Sequence, residues 1–437
     1  MLRRNGAQTS ADLQHELAVS QPTLSRVLSS LGDSVARIGR GRSSQYALRR
    51  EVAGLGSSWP LFDVGEDGRP ALLGRLHALA RDQYWFDGGK ANYPLLSDGL
   101  PYFVQDLTPQ GFIGRTLPSR FPELGLPGRI SDWNDDHVIA YLCQRGEDCI
   151  GNLMLGDESL QRFFKQSGGE QKSLTLGDRP NEYPALADAA IAGSVPGSSA
   201  GGEHPKFTTS IRVGGTSRHV LVKFSPAGND SIAQRWSDLL ICEYIAGHML
   251  REANLTSTTA ELLFAKGRTF LEVRRFDRTD KGGRIGVVSL GALANRHLGR
   301  RETWASATAG LANMGVISRD DAETVRRVAT FGRLIANTDM HFGNLSFYLA
   351  IDGPMSLAPI YDMLPMFYAP VAGDQLARRN FEVPLPIGEN LDIWPETAAL
   401  AQSYWEKVAS HESLSKEFAD AAKLNVSQIR DAKKIVQ

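Results

Sequence analysis

The segment Leu334-Ile-Ala-Asn-Thr-Asp-Met-His-Phe-Gly-Asn-Leu-Ser346 decides which fold the sequence predicts. An apolar run, predicted to be a helix, leads into Asp339, and Asn344 follows five residues later. A carboxylate at the first position can accept a hydroxyl proton, and a neutral amide oxygen at the second can bind Mg²⁺ without adding charge. The pair alone is a weak signal, because both residues could instead cap the next helix.

Two charged residues elsewhere in the chain strengthen this interpretation. Asp362 ends the predicted apolar strand 357–361, downstream of the opening segment. Lys223 lies upstream, on the second strand of a hairpin predicted from 206–213, a Gly-Gly-Thr turn and 217–224. Protein kinases have a phosphate-binding Lys and a metal-binding Asp in this order around an Asp-x-x-x-x-Asn motif. The alternative for Lys223 is an exposed edge-strand residue that keeps the sheet soluble.

Two further residues allow both a functional and a structural interpretation. The predicted helix 230–252 carries Glu243, which could pair with Lys223 or could be a solvated acid. His341 could act as an acid or base, or could be a structural residue that holds the Asp339 loop. The small-residue loop 193–205 precedes the hairpin, where a phosphate-covering loop is expected, although it lacks the G-x-G-x-x-G pattern.

Together these motifs resemble those of the HipA family of serine/threonine toxin–antitoxin kinases, over roughly residues 190–420. Besides the strand lysine, the resemblance rests on Ser199-Ala-Gly-Gly-Glu-His-Pro-Lys206, Val273-Arg-Arg-Phe-Asp-Arg278, Thr338-Asp-Met-His-Phe-Gly-Asn344 and Pro359-Ile-Tyr-Asp362. A fused N-terminal helix-turn-helix is typical of the HipH (YjjJ) type and extends the resemblance over the whole chain. The sequence departs from the family at His204, where Gln is usual, and at Arg274, where an acid is frequent. It departs from protein kinases in general at Asp362-Met-Leu, where D-F-G is usual.

The resemblance implies an α+β, two-lobed, protein-kinase-like fold of HipA type and a kinase that uses ATP and Mg²⁺. It implies Asp339 as the catalytic carboxylate, with the Arg274–Phe276 backbone against the adenine. The loop serine Ser199, with Ser198 adjacent, would be an autophosphorylation site whose modification inactivates the enzyme. The implied protein substrate is unidentified, with a translation factor or an aminoacyl-tRNA synthetase as candidates. The implied cofactor-binding residues are Lys223, Glu243, Arg274, Phe276, Asp277 and His341, and the implied metal ligands are Asn344 and Asp362.

Residues 1–52 are predicted to form a winged helix-turn-helix domain that binds double-stranded DNA. Residues 1–50 carry a net charge of +5, from 8 arginines minus 3 acids. Ala11–Leu17 is predicted as one helix, a second begins after Ser20, and a basic glycine-rich tip joins two β-runs within 35–48. The alternative is a helical hairpin for protein contacts, with solvated arginines. The side chains predicted to reach bases or phosphates are Gln21, Thr23, Ser25, Arg26, Arg40 and Arg42.

The length of 437 residues predicts two or three domains. A Gly/Ser-containing linker at 54–58 is predicted to lead into a region, 59–190, that resembles the N-terminal subdomain of HipA. Helices are predicted there at 69–82 and at 131–145, the second led by a serine cap. The kinase core is predicted over 191–437, with a small lobe to about residue 278 and a helical large lobe after it.

The composition is that of an ordinary globular protein, with 42% hydrophobic residues, 22% charged residues and a net charge of −1. Any signal for nucleic acid must therefore be local. Three cysteines without a CxxC pair favour a reducing compartment. The N-terminus lacks the apolar core of a signal peptide, and no apolar run is long enough for a bilayer, so we expect a cytoplasmic protein without membrane contacts.

Two other functions compete with the kinase. Gly197-Ser-Ser-Ala-Gly201 matches the G-x-S-x-G elbow of hydrolases, but Gly193 and Pro196 interrupt the strand that such an elbow requires. The second alternative is a non-catalytic DNA-binding transcriptional regulator whose kinase-like domain is a sensor. The complete set of Lys, Asp, Asn and Asp argues against it. The helix-turn-helix could replace a separate antitoxin or could inhibit the kinase, and the sequence does not distinguish the two.

Overall fold

The computed structural model describes residues 1–88, 96–168, 173–193, 204–299, 303–350, 352–371 and 380–436. The predicted autophosphorylation residues Ser198 and Ser199 lie outside the described residues, as does the side chain of Arg42. Within the described ranges, none of the helices combines the length and the apolar character that crossing a bilayer demands.

The N-terminal module, residues 1–52, contains three helices and a small antiparallel sheet in the strand order β1-β3-β2. A capping box between Thr9 and Asp12 starts the second helix, and Pro22 lies in the first turn of the third. Its assignment as a winged helix-turn-helix stays a prediction. The elements are α1 (Leu2–Asn5), β1 (Gln8–Thr9), α2 (Ser10–Leu17), α3 (Gln21–Ser30), β2 (Val35–Ile38) and β3 (Gln45–Leu48).

The middle region, residues 58–168, is an antiparallel sheet in the strand order β7-β6-β5-β4-β8 with helices packed against it. Its elements are β4 (Ser58–Val64), β5 (Pro70–Ala78), β6 (Gln83–Asp87), β7 (Leu96–Asp98), α4 (Tyr102–Gln105), α5 (Gly111–Arg120), α6 (Asp135–Arg145), β8 (Leu153–Leu155) and α7 (Asp157–Gly168).

The helix predicted at 69–82 is wrong, because most of this segment is strand β5. Its leucines have helix-like spacing, but the strand pairs with β4 on one side and β6 on the other. Gly74 permits this pairing, since an ideal Cβ there would lie only 2.4 Å from the carbonyl oxygen of Asp87. Sheet packing therefore overrides local helix propensity here.

The helix predicted at 131–145 ends as expected but begins later. Ser131 lies in a short 3-10 turn, and α6 starts at Asp135. Asn134 is the true cap, because its side chain accepts the backbone N–H of His137 while the His137 ring accepts the N–H of Asn134.

The small lobe is a five-stranded sheet in the order β12-β13-β11-β10-β9, crossed by one long helix. The predicted hairpin and the predicted helix over 230–252 are confirmed, and Asp230 caps that helix by accepting two backbone N–H groups. The elements are β9 (Leu174–Thr175), α8 (Arg179–Ile191), β10 (Lys206–Val213), β11 (Thr216–Phe224), α9 (Ser231–Glu252), β12 (Ala260–Ala265) and β13 (Arg268–Arg274).

The large lobe is mainly helical, with one small sheet in the order β14-β15-β16. Two predicted extents are wrong. The helix before Asp339 ends at Leu334, and the strand before Asp362 ends at Leu357, since Pro359 has no N–H for a ladder. The elements are β14 (Val287–Ser289), α10 (Leu290–His297), α11 (Trp304–Asn313), α12 (Arg319–Leu334), β15 (Ser346–Tyr348), β16 (Ser356–Leu357), α13 (Trp394–Ser410) and α14 (Lys416–Val436).

The main hydrophobic core is continuous from the middle region into the large lobe. It joins Leu61 and Leu142 of the middle region to Leu239, Phe331 and Trp405 of the two lobes. Burial of this kind contributes about 25 cal/mol for each Å² of apolar surface removed from water. This shared core fixes the middle region against the two lobes.

Candidate functional site

A cavity of about 430 Å³ lies among the small lobe, the large lobe and the middle region. The small lobe contributes the inner faces of β10, β11 and β13, and the large lobe contributes the loops around His341 and Tyr361. All of the predicted cofactor-binding residues and both predicted metal ligands line the cavity, namely Lys223, Glu243, Arg274, Phe276, Asp277, His341, Asn344 and Asp362.

A buried cluster of charges forms one end of this cavity. The Lys223 ammonium donates to both carboxylate oxygens of Glu243, at 2.6 and 2.8 Å, and also contacts Asp362. Burial alone would lower the pKa of Lys223, but the carboxylates of Asp362 and Glu243 outweigh it and raise the pKa above its usual value. The same ammonium holds the pKa of Asp362 below its usual value despite burial. Lys223 and Asp362 are therefore both charged near neutral pH, whereas burial raises the pKa of Glu243 above its usual value although the Lys223 ammonium opposes this.

Lys206 is a second lysine in this cluster, and its position in the sequence does not predict that it is buried there. It pairs with Lys223 across the β10–β11 ladder, is only 2% exposed and lines the cavity. With Lys206 included, two lysine side chains lie near the carboxyl groups of Glu243 and Asp362. A lysine that begins a strand usually indicates an exposed edge, so only the cross-strand register could have revealed its position.

The predicted catalytic loop is held by hydrogen bonds from the side-chain amides of two asparagines. The Asn337 side chain accepts the backbone N–H of Asp339 at 3.0 Å and donates to the backbone carbonyl of Asp362 at 3.3 Å. The Asn344 side chain donates to the backbone carbonyl of Asp339 at 2.8 Å. The amide oxygen of Asn344 is left for another partner, as a metal ligand requires. Asn337 was missed, although an Asn two residues before the key Asp is a typical turn-forming signal.

Two aromatic residues brace the same loop. Trp304 donates to the backbone carbonyl of His341 at 3.1 Å, and the Tyr361 hydroxyl donates to that of Gly343 at 2.7 Å. The His341 ring accepts the backbone N–H of Gly343 at 3.0 Å. His341 thus has a structural contact while it also lines the cavity, so its predicted role in cofactor binding stays a prediction. Neither aromatic residue gives a sequence signal of this role.

The Asp339 carboxylate is exposed and lies beside the cavity rather than in its lining. Partial withdrawal from water raises the pKa of the Asp339 carboxyl, nearby His341 opposes this, and the Asp362 carboxylate adds to it. An exposed, braced carboxylate is accessible to a hydroxyl group that approaches from solvent.

The predicted adenine segment forms another wall of the cavity. The Phe276 ring stacks on Tyr361 with centroids 5.8 Å apart, whereas the Arg274 side chain turns outward to Asp280 at 2.9 Å. The backbone N–H of Arg274 is already donated to the carbonyl of Thr259. The predicted contact of the Arg274–Phe276 backbone with the adenine stays a prediction.

Asp277 lies behind this wall and its carboxylate is occupied by protein groups. One oxygen accepts from Arg275 at 2.9 Å, and the other accepts from Arg278 at 2.8 Å and from the backbone N–H of Gly151 at 2.9 Å. The Arg275 guanidinium outweighs the effect of burial and holds the pKa of Asp277 far below its usual value. Its evident role is to join the small lobe to the middle region.

Replacing Asp277 by alanine is expected to destabilise the protein by about 3–5 kcal/mol, because two buried guanidinium groups lose one shared carboxylate and keep only Asp148. Chemical denaturation followed by tryptophan fluorescence measures the change. Asp280→Ala is the matched control, since its single, more exposed pair with Arg274 is expected to contribute under about 1 kcal/mol. Equal losses for the two variants would contradict the structural role.

The predicted DNA-binding side chains that the structure describes lie outside the patch with which the module packs on the middle region. The module uses Ala36, Ile38 and Ala47 to pack on Leu79 and Trp85 of the middle region. In contrast, α3 buries only one side chain, that of Leu24. Gln21, Ser25, Arg26 and Arg40 are exposed and Thr23 is half-buried.

Comparisons with known proteins agree with this architecture. Residues 55–164 match the family of the YjjJ-like toxin, middle domain, and residues 198–433 match the HipA-like C-terminal domain. The chain is 33% identical to "Toxin YjjJ" of Escherichia coli (strain K12) over 438 residues, which covers 97% of this chain and 95% of that protein.

Solved structures are similar as well. One is a chain from the Shewanella oneidensis MR-1 toxin–antitoxin complex of HipA, HipB and operator DNA, with a TM-score of 0.53, 16% identity, and coverage of 86% of this chain and 97% of that one. Another is the Helicobacter pylori proinflammatory kinase CtkA, with a TM-score of 0.36, 14% identity, and coverage of 53% and 91%.

The fold therefore defines a protein of the HipA-like class, and the predicted mixed α+β fold of HipA type is confirmed. The chain belongs to the HipA-like toxin family, with the middle domain of the YjjJ-like toxins.

Proposed function

We propose that the chain is an ATP- and Mg²⁺-dependent protein kinase that phosphorylates serine or threonine. The observation that carries this proposal is the buried contact of Lys223 with Glu243 and Asp362, next to a braced loop that contains Asp339 and Asn344. Protein kinases use a Lys–Glu ion pair, a metal-binding Asp and a catalytic-loop Asp and Asn in these positions.

The residues present fit a magnesium nucleotide. Lys206 and Lys223 supply positive charge for phosphates, and Asp362 and Asn344 supply the oxygen ligands that Mg²⁺ prefers. Among the described residues, no three His, Cys, Asp or Glu side chains cluster closely enough to hold a metal by themselves. This suits Mg²⁺, which usually takes only one or two protein carboxylates and completes its shell with phosphate and water. When bound, it would neutralise charge that develops on the phosphates.

In the proposed mechanism the chain's own groups mainly position and polarise. Lys223 orients the phosphates and is itself held by Glu243. The Asp339 carboxylate accepts the proton of the acceptor hydroxyl, while Asn337 and Asn344 fix the backbone on both sides of it. The Phe276 backbone is the candidate contact for the adenine.

Incubation of the purified chain with Mg²⁺ and γ-labelled ATP tests the proposal. The wild type is expected to transfer label to itself, on the peptide with Ser198 and Ser199, or to a protein of a cell lysate, and Asp339→Ala is expected to transfer none. A wild type that labels nothing, or that behaves like Asp339→Ala, would instead favour the non-catalytic regulator.

We further propose that residues 1–52 are a winged helix-turn-helix that binds double-stranded DNA. A helix whose surface is almost entirely exposed, followed by a basic hairpin, is the arrangement that inserts a helix in the major groove. The HipA-containing structure from Shewanella oneidensis includes operator DNA and HipB, so the HipA-like fold does occur in DNA complexes.

Replacing Arg26 and Arg40 together by alanine is expected to weaken binding of a mixed-sequence DNA duplex. Removal of one arginine–phosphate interaction lowers the slope of log affinity against log salt by about 1, so the double variant should lower it by about 2. A salt titration with the full-length protein measures the slope. Arg69→Ala, an exposed arginine of the middle region, is the control. If all three proteins have the same slope, the module is a protein-docking element.

A further inference from the structure

The middle region supplies part of the cavity that holds the proposed kinase site. The cavity is lined by Gln105 at the end of α4, by Asp106, Thr108 and Gln110 on the segment between α4 and α5, and by Ile150. A kinase lobe pair leaves this side of the nucleotide cleft to solvent unless another element covers it. Here the middle region, which is separate from the two lobes, forms that wall.

Two sets of buried polar contacts hold the wall in place. Asp106 accepts the backbone N–H of Ser289 at 2.6 Å and its hydroxyl at 2.7 Å, and Ser289 in turn caps α10. Ile150 lies between two anchored residues, because Arg278 donates to the carbonyl of Cys149 and Asp277 accepts from Gly151. The wall is therefore preorganised against the lobes before any ligand binds.

The wall lies toward the adenine end of the cavity rather than the phosphate end. Gly151, next to Ile150, donates to Asp277, which directly follows the predicted adenine segment. The Cys149 thiol contacts the carbonyl of Leu107 at 3.9 Å, so the segment with Thr108 lies beside Ile150. Along β11, Lys223 is three residues from Val220, which pairs with Arg274. At about 3.3 Å per residue this separates the phosphate-binding end from the adenine end by roughly 10 Å.

The chemistry of the wall suits hydroxyl groups and disfavours phosphate. Gln105, Thr108 and Gln110 are uncharged hydrogen-bonding side chains, and among the lining residues that the structure describes in the middle region only Asp106 is charged. Both Asp106 oxygens are bonded to Ser289, and no described residue of the wall is a cation that could bind a phosphate. Amides and hydroxyls can both donate to and accept from sugar hydroxyls. Lys206 and Lys223 lie toward the other end, and the two arginines that also line the cavity, Arg274 and Arg275, are each paired with an aspartate.

We infer that the middle region binds the sugar of the nucleotide, with Thr108 and Gln110 as direct contacts to its hydroxyl groups. This inference rests on the proposed kinase function and deepens it. The middle region is then part of the nucleotide site, and it selects ribonucleotides over deoxyribonucleotides.

Calorimetric titration of the full-length protein with ADP, 2′-deoxy-ADP and 3′-deoxy-ADP in the presence of Mg²⁺ tests it, since these ligands are not turned over. The wild type is expected to bind at least one deoxy form about threefold to tenfold more weakly than ADP, the value of an ordinary hydrogen bond. In the double variant Thr108→Val, Gln110→Leu, ADP is expected to bind as weakly as that deoxy form.

Thr116→Val is the matched control, because Thr116 lies on α5 in the same region, bonds the carbonyl of Ile113 and does not line the cavity. It should keep the wild-type discrimination. The inference is overturned if the wild type binds all three ligands equally, or if the double variant still discriminates as the wild type does. Absence of any ADP or ATP binding by the wild type would refute the proposed function as well, which distinguishes the two failures. Circular dichroism melting verifies that the variants are folded.

Discussion

Asp339→Asn is expected to lower the rate of phosphoryl transfer about 10²–10⁴-fold while ATP binding stays within about twofold of the wild type. The amide has the shape of the carboxylate but cannot accept a proton. The Asp339 side chain is exposed and lies outside the cavity lining. The substitution should therefore disturb neither the fold nor the buried cluster of Lys223, Glu243 and Asp362. Single-turnover labelling with γ-labelled ATP measures the rate, and calorimetry measures the binding.

Asp352→Asn, at another exposed aspartate of the large lobe, is the control for a general effect of charge. The pH profile adds a second readout. The pKa of Asp339 is raised, so its carboxylate is lost at a higher pH than for a fully solvated Asp. The rate of the wild type should therefore fall as the pH drops through that raised pKa, and the residual rate of Asp339→Asn should lack this limb. An Asp339→Asn variant with the wild-type rate would remove Asp339 from the mechanism.

The sequence could predict those parts of the site that depend on order along the chain. Lys223, Glu243, Asp339, Asn344 and Asp362 were all found from spacing and position, and the structure brings them together around one cavity and its rim. Their elements are locally encoded: the hairpin has its Gly-Gly turn and the helix of Glu243 has its Asp cap. Local signals and chain order are enough for such residues.

The parts that the sequence did not predict depend on contacts between distant segments. Strand β5 has helix-like leucine spacing, and only pairing with β4 and β6 makes it a strand. Lys206 was missed because its burial follows from the strand across from it. Asp277 lines the cavity and its predicted nucleotide contact stays a prediction, but no pattern in the sequence indicates its bond with the backbone N–H of Gly151, 126 residues away. No local pattern encodes any of these contacts.

Breaking the contact between Lys223 and Glu243 is expected to cause a large loss of activity. Lys223→Ala is expected to lower kcat/KM for ATP about 10²–10³-fold, the loss typical when one preorganised electrostatic contact to a transition state is removed. Glu243→Gln keeps the shape of its side chain but not the charge, so Lys223 is left with Asp362 alone as its anionic partner. Lys223 would then be drawn toward the carboxylate that the metal needs, and a comparable fall is expected.

The double variant Lys223→Ala, Glu243→Gln distinguishes this coupling from two independent roles. If Glu243 acts only by positioning Lys223, the double variant should be no slower than Lys223→Ala alone. The reason is that in Lys223→Ala no lysine is left for Glu243 to position, so its substitution has no further effect. Steady-state rates for the wild type and the three variants measure the coupling. Additive losses would mean that Glu243 has a separate function. A Glu243→Gln variant with wild-type activity would show that the buried ion pair is structural. Loss of a residue that positions Lys223 must change the activity that depends on Lys223.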